Sequence, residues 1–146
     1  MPIYRSEFDI QASDHKVWNI LIDFEKYPDW NPSLPYIAGE LTEGSVVSLT
    51  LGLPGKRPMN VTAKLEHVQP MKNLTWRGKV GAAWLFSGLR ILEIEALEPD
   101  KIKFTHVEDI GGILAPMFKM MMGEAIQQSH DGFNEALRKR AKELTG

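Results

Sequence analysis

Residues 84–124 read WLFSGLRILEIEALEPDKIKFTHVEDIGGILAPMFKMMMGE, and the fold follows from where this stretch changes its period. Up to Leu97 the set Trp84, Phe86, Gly88, Arg90, Leu92, Ile94, Ala96 alternates with Leu85, Ser87, Leu89, Ile91, Glu93, Glu95, the two-residue repeat of a strand. Glu98-Pro99-Asp100 is a turn, and Lys101 to Ile110 resumes the alternation, Ile102, Phe104, His106, Glu108, Ile110 against Lys103, Thr105, Val107, Asp109. Gly111-Gly112 then breaks the strand. Pro116 suits a first helical position, and a helix is predicted from about Ala115 to Leu144, with Phe118, Met122, Ile126, Ser129, Phe133, Leu137 and Leu144 as its inward stripe.

Upstream, strands are predicted at Tyr4–Ala12, Pro35–Glu40, Ser45–Leu53, Met59–Val68 and Asn73–Val80, separated by Gly- and Pro-bearing turns, which brings the strand count to seven. Between the first two, Ser13 offers an N-cap to a short helix with Val17, Trp18, Leu21 and Ile22 on one stripe, and Phe24 to Tyr27 adds a second short turn that Pro28 and Pro32 end. Six consecutive strands with no crossover helix form an antiparallel meander with one face to bury, and only the terminal helix is long enough to cover it. Twist curls such a sheet around its partner. The expected fold class is therefore α+β, a seven-stranded curved antiparallel sheet gripping a long C-terminal helix, in one domain over residues 1–146. A wedge of this kind leaves room inside.

Composition narrows the function. A net charge of -2 gives no basic excess for phosphate neutralisation, so nucleic acid is not the expected partner. The absence of cysteine excludes disulfides, thiolate catalysis and cysteine zinc sites. The N-terminus MPIYRSEF lacks the apolar core of a secretory signal, and the longest apolar stretch, Gly111 to Met122, contains Lys119 and falls short of the ~20 residues a spanning helix needs. A cytoplasmic location, no stable membrane insertion and at most a weak homodimer are expected. His15, His67, His106 and His130 are scattered without ligand spacing, and phosphate loops, nucleophile elbows and zinc-binding helix motifs are missing, so no metal and no cofactor is expected.

Side-chain parity turns the larger aromatics of the sixth strand inward and takes Arg90 with them; on the seventh, Ile102 and Phe104 take His106 and Glu108. Both assignments hold together only if the hairpin at Pro99 has an odd number of loop residues. Unpaired buried charge costs several kcal/mol or more, so Arg90 and Glu108 should pair or reach water. Two readings stand side by side: a self-satisfied internal ion pair, or a polar contact that orients a ligand in an apolar concavity. Trp30, Trp76, Trp84, Phe86, Phe104 and Phe118 are core or ligand platform, with core the better reading for Trp76. The Met117-Phe118-Lys119-Met120-Met121-Met122 run, including Met121 and Met122, is either an adaptable pocket wall or gate, or plain packing, with Gly111-Gly112 beside it as hinge or turn.

Residues 10–32, IQASDHKVWNILIDFEKYPDWNP, resemble the opening of the START-like helix-grip (SRPBCC) superfamily, in particular its polyketide cyclase/dehydrase branch. LTWRGKVGAAWLFSGLRILEIEAL, KIKFTHVEDIGGIL and GFNEALRKRAKEL resemble later segments of the same branch, so the likeness spans nearly the whole chain. It implies a cavity between sheet and helix, used across the superfamily for lipids, sterols, quinones, polyketides and plant hormones. Glu108 matches a glutamate common in the branch; Arg90 stands where the branch often has histidine. The leading expectation is binding of an apolar small molecule, a lipid, polyketide or quinone, with Arg90 at its polar end. The rival is a cyclase or dehydrase using Glu108 as acid or base with Arg90 or His106 polarising a carbonyl. The third is a module that docks on a protein or membrane through Trp30 and the methionine run.

Overall fold

The computed structural model describes residues 3–82 and 84–144. In chain order it contains β1 (Ile3–Ile10), α1 (Asp14–Ile22), a 3-10 turn (Phe24–Lys26), α2 (Tyr27–Trp30), β2 (Tyr36–Ala38), β3 (Val46–Leu51), β4 (Met59–Gln69), β5 (Asn73–Lys79), β6 (Ser87–Glu98), β7 (Lys101–Gly111) and α3 (Ala115–Glu143). The strands form one seven-stranded antiparallel sheet in the order β1-β7-β6-β5-β4-β3-β2, so the meander ends beside β1. This is the helix-grip α+β architecture expected from the period change at Gly111.

Local chemistry accounts for the element ends. The Ser13 hydroxyl accepts the Lys16 amide at 3.1 Å and caps α1. Pro28, expected to end the second short turn, instead sits in the first turn of α2, where no amide donor is needed, and the helix continues to Trp30. Arg140 and Lys142 lie in the last turn of α3, opposite in sign to the helix dipole there.

Two hydrophobic clusters fill the grip. The larger joins α1, α2 and the C-terminal half of α3 to the sheet through Trp18, Leu21, Tyr27, Leu92, Phe104, Phe133 and Leu137. The smaller, Leu53, Ile110, Ala115, Ala125 and Ile126 with Tyr4, Phe86, Phe118 and Met122 against it, holds the first turns of α3 onto the opposite end of the sheet.

Three further expectations are corrected. The sixth strand begins at Ser87, not Trp84, and Trp84 is 66% exposed. The Trp84 and Leu85 carbonyls accept the Ile113 and Leu114 amides, at 3.0 and 2.9 Å, so this backbone serves the approach to α3 instead of the sheet. Gly112 permits that contact: its φ is +100°, and a Cβ there would lie 2.5 Å from the Leu85 carbonyl oxygen. Leu144 lies past the helix and is 40% exposed. The hairpin at Pro99 has a two-residue turn, with Glu98 opposite Lys101; a bulge between Ala96 and Glu98 supplies the odd residue that keeps both charged sets on the same face.

Candidate functional site

Arg90 on β6 and Glu108 on β7 are opposed in register, both are buried, and the Arg90 Nη2 pairs with the Glu108 Oε1 on the concave face. Arg90 is also flanked by aromatic rings, its Cζ standing 5.3 Å from the Phe133 centroid and 5.9 Å from that of Trp76. From this pair runs a closed circuit of polar groups, all buried except the half-buried Ser6, that the linear sequence does not display. Arg90 Nη1 donates to His106 Nε2 at 3.3 Å, and His106 Nδ1 donates to Asn134 Oδ1 at 2.8 Å. The Asn134 amide donates to Ser6 Oγ at 2.6 Å; the Ser6 hydroxyl then has its own proton to give His130 Nε2, 2.8 Å away. His130 Nδ1 closes the ring by donating to Glu108 Oε2 at 3.1 Å. This proton assignment satisfies every member, as buried polar groups require. It also ties α3, through His130 and Asn134 one turn apart, to β1, β6 and β7.

The electrostatics follow from that circuit. Burial pushes the Glu108 carboxyl up, but the Arg90 guanidinium and the hydrogen bond from His130 outweigh it and hold the group down at about 2. Burial, with Arg90 beside it, lowers His106 to about 3, so the ring is neutral at ordinary pH. Tyr4, opposite Glu108 on β1, is raised by burial and by the Glu108 charge.

Beside the circuit lies a hollow of about 90 Å³, several times the ~10–15 Å³ one water needs. Leu49, Leu53, Val61, Ile110 and Ile126 form apolar walls, Arg90, Glu108 and Ser129 are polar points on the inner surface, and Phe86 and Phe118, with ring centroids 4.3 Å apart, stand at the loop end. The space has a direct cause. Gly78 and Gly88 face each other across β5 and β6 and both line the hollow. A Cβ on Gly88 would meet nothing within 4 Å, so the missing side chain is open volume.

The sequence-derived candidates separate by position. Trp76, Phe86, Arg90, Glu108 and Phe118 line the hollow. Phe104 and His106 are fully buried behind it, His106 reaching it through Arg90. Trp30 packs edge-on against Phe133 in the main core, away from the hollow. Met122 is half-buried against the smaller cluster, and Met121 is 67% exposed. Ser6, His130, Asn134 and Gly88 escaped sequence reasoning as site residues. The signal for His130 and Asn134 was their i, i+4 spacing on the helix face that carries Ser129 and Phe133.

His106 and His130 also correct the description of the histidines as scattered: their rings stack 3.9 Å apart at 10°, and with Glu108 they offer three ligand atoms within 4.8 Å of one another. Among the described residues, these are the ones that could hold a metal. Each of the atoms is already engaged within the circuit, and the Arg90 cation stands at the same point.

A curved sheet over a long helix, with an apolar hollow between them, is the helix-grip architecture, and the family match and similar solved structures put the chain in the START/SRPBCC superfamily. The chain belongs to the polyketide cyclase/dehydrase and lipid transport family, whose model matches residues 1–142. Among solved structures it is similar to an aromatase/cyclase from Streptomyces sp. R1128, at 14% identity and TM-score 0.78 over 97% of this chain and 93% of that one. A START superfamily protein from Mycobacterium smegmatis matches at 22% identity and TM-score 0.74, covering 98% and 99%. Norcoclaurine synthase from Thalictrum flavum matches at 16% identity and TM-score 0.72, covering 99% and 88%. No curated protein matches the chain.

Proposed function

We propose that the chain binds a compact apolar molecule with one anionic or carbonyl end, its body between β3–β6 and α3 and its polar end at Arg90. The observation that carries this reading is the open space at Gly88: an apolar hollow that no side chain fills there, with the Arg90–Glu108 pair as the buried charge among its described lining residues. A few convergent polar groups in an apolar concavity describe a small-molecule site. The family's description as cyclase, dehydrase and lipid transport covers both binding and catalysis. Binding is favoured over acid–base chemistry because both Glu108 oxygens are engaged and a carboxylate held at about 2 is a weak base and carries no proton at neutral pH.

Titration with 2-naphthoate, a two-ring apolar body with a carboxylate end, tests the reading. Saturable one-to-one binding is expected, with a loss of tenfold or more in Gly88→Phe, whose ring occupies the hollow. Equal affinity in the two proteins would overturn the proposal. So would native mass spectrometry of gently purified protein that finds no lipophile together with a hollow closed to naphthoate.

A further inference from the structure

Three connections meet at the loop end of the grip: β3 to β4, β5 to β6, and β7 to α3. They surround the end of the hollow at which Phe86 and Phe118 stand. Large apolar side chains are exposed across two of them: Val80 at 40%, Trp84 at 66%, Ile113 at 68%, Leu114 at 37%, Met117 at 51%, Met120 at 85% and Met121 at 67%. The Ile113 amide bonded to the Trp84 carbonyl fixes two of these segments side by side, and after Leu114 at the N-cap, Met117, Met120 and Met121 follow at helical spacing on one face of α3. Soluble surfaces rarely gather this much contiguous apolar area without a partner.

Within the segments that form this end the charges have one sign, and the first carboxylate on the methionine face of α3 is the exposed Glu124, one turn beyond Met120. Segments 51–60, 78–88 and 111–123 contain Lys56, Arg57, Lys79 and Lys119 and no carboxylate, in a chain with 19 acidic residues and a net charge of -2. All four cations are exposed, and among the described residues none forms an ion pair. The nearest carboxylates in sequence are Asp109, on β7, and Glu124, a turn further along α3 than Met120. A second copy of the chain would bring these cations against their own equivalents. An anionic bilayer is complementary to both features, since lysine and arginine meet the headgroups while tryptophan, methionine and leucine enter the interface.

We infer that this end of the grip docks peripherally on an anionic phospholipid bilayer, with Trp84, Ile113, Leu114, Met117, Met120 and Met121 in the interface and Lys56, Arg57, Lys79 and Lys119 at the headgroups. Crossing the bilayer is not involved: no helix among the described residues is long and apolar enough. Docking places the loop end of the hollow against lipid, but the surface stands whatever the hollow holds.

Flotation with vesicles of equal parts phosphatidylcholine and phosphatidylglycerol tests it. The protein is expected to float with these vesicles, to do so much less with pure phosphatidylcholine, and to be released as salt is raised. Met120→Glu, at a side chain that packs on nothing the fold needs, is expected to abolish flotation, and Lys119→Glu to weaken it about five- to tenfold. Trp18, Trp30 and Trp76 are buried, so quenching of tryptophan emission by brominated lipid reads Trp84 and should vanish in Trp84→Phe. Absence of flotation on anionic vesicles, or flotation unchanged by Met120→Glu, overturns the inference. A dimer in sedimentation that Met120→Glu dissociates, without vesicle binding, overturns it in favour of self-association. Vesicle binding is read without cavity ligand: Gly88→Phe should still float and Met120→Glu should still bind naphthoate, so the two proposals fail separately.

Discussion

Arg90 and Glu108 stand directly opposite each other on neighbouring strands, and their charged ends meet inside the grip, at the wall of the hollow. Neither reaches bulk water to any extent, with 7% and 8% of their surfaces exposed, so each depends on the other for its ionised form.

Glu108→Gln keeps the shape but leaves the Arg90 cation unpaired, and urea unfolding is expected to show a loss of about 3–5 kcal/mol. Replacing both partners with apolar residues, Arg90→Met with Glu108→Leu, is expected to recover most of that loss, because the penalty belongs to the orphaned charge and not to the missing attraction. A double variant no better than Glu108→Gln would show that the circuit through His106 and His130 contributes more than the pair.

Acid should unfold the protein in two stages. His106 is held at about 3 in the fold against an ordinary 6.5, so between those values the unfolded chain binds the proton and stability falls as pH falls. Glu108, at about 2 against 4.5, adds a second loss below pH 4.5, again because its folded value is depressed. Unfolding free energies measured from neutral pH down to about 3 should show both slopes, and His106→Gln should remove the upper one.

The two glycines facing the hollow should respond differently to a methyl group. Gly88→Ala adds a Cβ to empty space and is expected to change stability by less than ~1 kcal/mol while weakening naphthoate binding. Gly78→Ala places its Cβ 2.8 Å from Val61 Cγ1 and is expected to cost about 1–3 kcal/mol through overpacking. Thermal melts of the two proteins side by side decide it.

Gly112→Ala combines an unfavourable φ with a clash against the Leu85 and Phe86 backbone. A loss of at least ~1–3 kcal/mol is expected, with faster hydrogen exchange at the Ile113 and Leu114 amides, which bond to Trp84 and Leu85.

What could be read in the linear chain was whatever repeats over short distances. Alternation on β6 and β7, the glycine break at Gly111 and the periodicity of α3 were sufficient for the order of elements and the antiparallel sheet; parity turned Arg90 inward on β6 and His106 with Glu108 inward on β7, and the bulge between Ala96 and Glu98 makes those faces coincide. Parity failed where backbone groups found other partners, as at Trp84 and Leu85, whose carbonyls turn to the residues before α3.

Sequence by itself determined the architecture and which residues of each charged strand share a face, because secondary-structure period and side-chain direction are local properties, while the family was legible only as a resemblance of residues 10–32 and the later segments. Only the tertiary structure decided that Ser6, His130 and Asn134 close the circuit around Glu108, that Gly88 looks onto an open hollow, and that Met117, Met120 and Met121 face outward on the segment bonded to Trp84. These depend on contacts between residues up to 128 positions apart, such as Ser6 with Asn134. Proximity of that kind is set by how the helix seats on the sheet, which no local pattern encodes.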